Sequence, residues 1–191
     1  MKSSKSLLLA TLFLCLAAAA TQAADTFKID PVHSSVGFSA MHLGVTNFYG
    51  RFNDISGTIV FDQADPSKSS VELSVPVESV DTHNPKRDQH LKSPDFFNAK
   101  QFPALTFKSN KVEAGSDGSY KVTGDFTLHG ITKPLTVEFK KGGEGKGMQG
   151  EVRAGGETHF TIKRSDFGMN FMQGAVGDEI TISLSLEGVK Q

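Results

Sequence analysis

The 191-residue sequence has no tryptophan, two tyrosines and one cysteine, and each shortage removes a class of function. The lone Cys15 lies within residues 1–23, which read as a secretory leader. Lys2 and Lys5 form its charged start, Leu7 to Ala20 an apolar run too short to span a bilayer comfortably, and Thr21-Gln22-Ala23 a small-residue cleavage site. Lipid attachment at Cys15 would need small residues just before it, whereas Phe13-Leu14 stand there. Cleavage after Ala23 leaves residues 24–191, 168 in all, the size of one domain and without a thiol. A disulfide framework, a thiolate nucleophile and Cys-bound zinc are thereby excluded from the expected mature chain.

Charge of one sign is also lacking. The whole sequence carries 20 basic against 21 acidic residues, and loss of Lys2 and Lys5 makes that 18 against 21. No basic field for nucleic acid remains. After the leader, no apolar run approaches the ~18 residues of a membrane-spanning helix. Catalytic signatures are missing too: there is no Gly-x-Ser-x-Gly elbow and no glycine-rich phosphate loop ahead of a helix. The expectation is a protein with no catalytic residues, no metal and no cofactor.

What the sequence has is a period of two. From Glu179 to Leu186 polar and apolar residues alternate throughout, placing Ile180, Ile182, Leu184 and Leu186 on one face. Ser70–Val77 alternates equally well, with Val71, Leu73, Val75 and Val77 inward, and Glu157–Lys163 puts Thr158, Phe160 and Ile162 inward. These are half-buried antiparallel strands. Less regular strands follow from Val36, Phe38 and Ala40; from Gly57, Ile59 and Phe61; from Leu105 and Phe107; from Val122, Phe126 and Leu128; and from Leu135, Val137 and Phe139. Asp117-Gly118 and His129-Gly130 read as tight turns, and Gly142 to Gly150 as a flexible loop.

About eight strands without an internal repeat predict an all-β domain. A closed, eight-stranded antiparallel barrel suits them best, because closure removes exposed sheet edges; a two-sheet sandwich is the alternative. Fourteen phenylalanines remain once Phe13 leaves with the leader. They either fill the barrel or line a space held for a ligand, since a dry void of ~300 Å³ would cost on the order of 7 kcal/mol. A ligand in such a space is expected to be apolar and elongated.

One polar segment, Ser79 to Phe97, interrupts the strands. Asn84-Pro85 and Ser93-Pro94 each predict a helix start, because a side-chain oxygen caps free amides while proline loses no needed donor. His83 and His90 are seven apart, but Pro85 breaks the helix that would align them, so an ion pair of Arg87 with Asp88 or Asp81 is expected there instead of a metal. The carboxylates of Asp81, Asp88 and Asp95 read as solvated. Leu91, Phe96 and Phe97 would pack down over the barrel as a lid. His42 continues the alternation of Val36, Phe38 and Ala40 and is expected to face inward. His33, His129 and His159 fall at loop, turn and outward positions.

Several blocks together resemble the YceI family. They are Asp30 with His33-Ser34 and Val36-Gly37-Phe38; His42-Leu43-Gly44; Gly50-Arg51-Phe52; Ser79-Val80-Asp81-Thr82, then Arg87-Asp88-Gln89-His90-Leu91 and Ser93-Pro94-Asp95-Phe96-Phe97; Phe102-Pro103 with Phe107-Lys108-Ser109; Gly124 through Pro134; and Arg164-Ser165-Asp166-Phe167-Gly168. The resemblance spans essentially the whole chain after the leader. It implies a periplasmic, lipocalin-like barrel that binds a polyisoprenoid or similar long amphiphile and is often a homodimer. It implies no catalysis. Polyprenyl chain, isoprenoid quinone and fatty amide all stay open as ligands, with transient membrane contact during loading. Residues that match the family's blocks and also point inward, Phe38, His42, Phe107, Phe126 and Leu128, are the expected ligand contacts. An enzyme acting on such a lipid, or an interaction module with a packed core, are the rival readings.

Overall fold

The computed structural model describes residues 24–191; the expected leader and Cys15 lie outside the described residues. Eleven strands are present: β1 (Asp25–Ile29), β2 (Ser35–His42), β3 (Thr46–Phe52), β4 (Ser56–Phe61), β5 (Ser70–Pro76), β6 (Val80–Asp81), β7 (Ala104–Ala114), β8 (Ser119–Leu128), β9 (Ile131–Lys146), β10 (Val152–Lys163) and β11 (Val176–Lys190). The only α-helix among the described residues is α1 (Pro85–Leu91).

These eleven segments form eight staves. β1 and β2 are successive halves of one stave bent at residues 30–34, β3 and β4 are halves of the next, and β5 runs through the 3-10 turn Val77–Ser79 into β6. Both halves keep the same neighbours: β1 pairs β4 where β2 pairs β3, and β4 pairs β5 where β3 pairs β6. Each stave pairs antiparallel with the next stave along the chain. The ring closes where β11 pairs β10 on one side and β1 and β2 on the other. The result is a closed up-and-down barrel of eight antiparallel strands, as the alternation predicts; the sandwich alternative is excluded by this closure.

The period-two segments occupy the expected faces. In β11, Ile182 and Leu184 lie opposite Phe38 and Val36 of β2, while Thr181 and Ser183 face outward. The His129-Gly130 hairpin has positive φ at both residues, 52° and 73°, the conformation a two-residue antiparallel turn requires. Two expectations need correction. The glycine-rich stretch from Gly142 is not all loop, because β9 continues to Lys146 and pairs there with Val152. Thr46–Phe52, with only weak alternation, is a strand that the sequence reading did not identify.

The upper end of the barrel carries the Met41–Thr46 hairpin, the Ser79–Phe97 insert, the His129-Gly130 turn and residues 164–175. The lower end carries residues 62–69, 115–118 and 147–151 and the chain's C terminus. In the lower half an arginine clasps three staves. Arg153 Nη1 donates to Asp30 Oδ2 at 2.7 Å and to Glu187 Oε1 at 2.6 Å, and its Nε donates to Glu151 Oε1 at 2.8 Å. Asp30, His33 and Glu187 bring ligand atoms within 4.8 Å of one another, but the guanidinium already supplies their cation. Hydrogen bonds from His33 and Arg153 hold the Asp30 carboxyl far below its ordinary value.

A group with a depressed folded pKa stabilises above its unfolded pKa, near 3.9, and loses that contribution as pH falls toward the folded value. Asp30→Asn is therefore expected to be less stable than the parent at pH 7, with the gap narrowing between about pH 4 and pH 2. Urea denaturation at several pH values checks this, and a gap constant with pH would assign the loss to packing instead.

Candidate ligand-binding site

The barrel encloses a cavity of about 230 Å³ that runs most of its length. It is lined almost wholly by carbon. Phe27, Val60 and Phe61 line its lower part, Leu73, Phe107 and Leu184 its middle, and Leu91, Phe96 and Phe97 its upper end. The phenylalanines line the wall and leave the middle open, which decides against the packed-core alternative. Many inward side chains, among them Phe38, Ile59, Phe107 and Leu135, are accordingly only partly buried although they face the interior. Leaving such a space dry would forfeit about 5 kcal/mol at ~24 cal/mol per Å³, so an apolar occupant has a stabilisation to recover.

Two glycines give lining rings their room. Gly50 lies opposite Phe38, and a Cβ there would stand 2.4 Å from that ring; a Cβ on Gly124 would stand 2.7 Å from the ring of Phe107. Both positions belong to sequence blocks quoted above. Their role is a bed for an aromatic ring that would otherwise be pushed into the cavity.

Four of the five expected contacts line the cavity: Phe38, Phe107, Phe126 and Leu128. Phe126 and Leu128 are also buried in the wall, where Phe126 meets Phe167 edge to face at 5.5 Å. His42 does not belong with them. It is exposed at the last residue of β2, opposite Thr46, and lies beyond the cavity's lining. Alternation gives the face on which a residue sits but not the height at which the lumen ends.

The insert caps the upper end. Asn84 Oδ1 accepts from the amide of Arg87 at 3.1 Å and starts α1 as expected, with Pro85 at its first position. Ser93-Pro94 begins only a turn, which returns through the Phe97 amide to the Leu91 carbonyl at 2.9 Å. That return aims Leu91, Phe96 and Phe97 into the barrel, and Phe97 meets Phe52 at 5.7 Å. The expected pairing of Arg87 with an aspartate is corrected: both Arg87 and Asp88 converge on Thr82. Arg87 Nε donates to Thr82 Oγ1 at 2.7 Å and its Nη2 to the Thr82 carbonyl at 2.6 Å, while Asp88 accepts from the Thr82 amide at 2.8 Å and from its hydroxyl. Asp81 instead takes hydrogen bonds from Asn53 and the His83 amide, and Asp95 meets His90 at 2.9 Å.

A second support for the upper end is Arg164, whose structural part the sequence reading did not anticipate. Only 3% exposed, it donates to the carbonyls of Met169, Phe171, Val176 and Gly177 at 2.6–3.0 Å. Burial pushes its pKa down, and the nearby Asp178 opposes this. Asp178 spends its two oxygens on the Ser165 amide and hydroxyl. Above this staple, Met41, Leu43, Val45, Phe171 and Met172 stand exposed around the rim. Phe171 touches Phe96 at 5.5 Å, so rim and cavity lining are continuous.

Comparison with known proteins agrees with this architecture. Residues 27–188 match the model of the YceI-like domain family. A UPF0312 protein of Pseudomonas aeruginosa is 42% identical over 171 residues, 88% of each chain. Burkholderia cenocepacia BcnA superposes with a TM-score of 0.74 at 25% identity, over 83% of this chain and 98% of BcnA. A polyisoprenoid binding domain from Saccharophagus degradans has the same fold, with a TM-score of 0.65 at 14% identity, over 86% of this chain and 98% of that domain.

Proposed function

The chain belongs to the YceI-like family, and from that premise we propose that it is a periplasmic carrier holding a polyisoprenoid or similar long amphiphilic lipid in the barrel lumen. The observation that carries the reading is the elongated, carbon-lined cavity under a lid of Leu91, Phe96 and Phe97. Each methylene moved from water into it contributes ~0.8 kcal/mol, so a chain of about fifteen carbons gains roughly 12 kcal/mol against an association cost of ~4–15 kcal/mol. Affinity therefore rises with chain length. The likeness to a polyisoprenoid binding domain supports this class of ligand.

The leader expected at residues 1–23 supports export to the periplasm. A cargo too apolar to travel free in water has to be exchanged at a bilayer. The exposed Leu43, Val45, Phe171 and Met172 at the lid end supply an apolar rim for transient membrane contact.

Organic extraction of the purified protein followed by mass spectrometry is expected to release a long-chain lipid at up to one molecule per chain. Finding no lipid, together with no uptake of an added isoprenoid such as geranylgeraniol, would overturn the carrier reading.

A further inference from the structure

Among the described residues, the only charged ones that line the cavity are Arg164 and Lys141, both cationic, and they differ in one respect. Arg164 is held by four carbonyls at the upper end. Lys141, in the lower part, has no ion-pair partner among the described residues, and its Nζ rests 4.6 Å from the ring centroid of Phe61.

A second polar group lines the same cavity. Thr158 lines the cavity at 3% exposure, and its hydroxyl has no hydrogen-bond partner among the described residues. The strand register sets the two side by side. Lys141 lies directly opposite Gly156, so Thr158 is its diagonal neighbour across β9 and β10, at the ~7–8 Å spacing that one polar group can bridge. On the other flank, Tyr120 of β8 lies opposite Phe139, two residues before Lys141, and also lines the cavity. Its ring meets Phe61 edge to face at 5.3 Å. An ammonium, an unpartnered buried hydroxyl and a phenol thus lie at adjoining register positions on the three neighbouring strands β9, β10 and β8, in a lumen lined mostly by carbon.

We infer that this stretch of the wall, from Lys141 to Thr158 and Tyr120, is a head-group site selective for an anionic oxygen-bearing head, a carboxylate or a phosphate, with the lipid tail running upward to the lid. The inference rests on the carrier reading and adds to it charge selection and orientation. Lys141 supplies the charge, and Thr158 and Tyr120 donate hydrogen bonds. A neutral alcohol on the same tail gains the apolar burial but not the charge-assisted contacts.

The test is displacement of the uncharged fluorophore N-phenyl-1-naphthylamine from the delipidated full chain by two matched pairs: stearate against octadecanol, and geranylgeranyl phosphate against geranylgeraniol. At least one anionic competitor is expected to bind roughly ten- to a hundredfold tighter than its alcohol, the range of a charge-assisted hydrogen bond. The pair that shows the preference identifies the head as carboxylate or phosphate. Lys141→Met is expected to abolish the preference of the anionic competitor over its matched alcohol, and Thr158→Val to reduce it.

Equal binding within both pairs, or a preference that survives Lys141→Met, would overturn the inference and leave the carrier reading standing. Failure of all four competitors to displace the fluorophore would overturn both. Because Lys141 is only half-buried, its replacement leaves the fold intact; Tyr120→Phe, which removes one hydroxyl, gives a second check on the same preference.

Discussion

Arg164→Met is expected to cost on the order of 3–5 kcal/mol of folding stability. Methionine can occupy the space of the arginine stem but donates nothing. The carbonyls of Met169, Phe171, Val176 and Gly177 would lose their partner together, inside a region where Arg164 itself is only 3% exposed. An unsatisfied buried polar group costs about 1–3 kcal/mol, and partial relaxation of residues 169–177 toward water brings the sum below the arithmetic maximum. For a chain of this size, 1 kcal/mol moves the melting temperature by roughly 2–4 °C, so a fall of about 6–20 °C is expected. Arg164→Lys keeps the charge but offers three donors from one point in place of a planar fork, and should recover only part of the loss. A decrease of less than about 1 kcal/mol in urea denaturation would show that the staple is not what holds residues 169–177.

That staple also marks where sequence reasoning stopped. Glu179–Leu186 gave up its inward face at once, because both faces of an antiparallel strand differ chemically and the alternation is unbroken over eight residues. Phe38, Phe107, Phe126 and Leu128 reached the cavity wall for the same reason. Arg164 follows the last residue of β10, where the period of two has ended, so no pattern announces that its side chain turns inward. His42 shows the converse error, since its pattern continues while the barrel does not.

Lys141 was hidden in a different way. It directly precedes Gly142 to Gly150, which reads as a flexible loop, yet β9 continues through it and alternation from Leu135, Val137 and Phe139 carries it inward. Recognising the strand's true length would have found it. The register of Thr158 was less accessible, because β9 and β10 shift between Ala154 and Gly156, and such a shift depends on tertiary pairing. The insert was legible as a lid because Leu91, Phe96 and Phe97 punctuate a polar stretch. Its actual latch on Thr82 was not, since a backbone carbonyl leaves no trace in composition.

Phe107→Asp is expected to lower affinity for a long-chain lipid by at least about a hundredfold while the barrel still folds. Phe107 lies opposite Phe126 on one side and Leu73 on the other, with its ring against Gly124 and its face to the cavity. It is half-buried, unlike Phe126, so an aspartate there can be solvated from the lumen when no lipid is held. Lipid removes that solvent. The carboxylate must then lose its hydration among Leu73, Phe126 and Leu105 without a partner, or take up a proton, and either course opposes binding by several kcal/mol. Thr181→Asp is the matched control, because Thr181 sits between the lumen-facing Ile180 and Ile182 and points outward. Titration of geranylgeraniol into both variants, each checked for folding by circular dichroism, is expected to show loss in the first and parent-like binding in the second. Equal affinities would mean that lipid does not occupy the interior, and a parity effect on any other stave would extend the same assignment around the barrel.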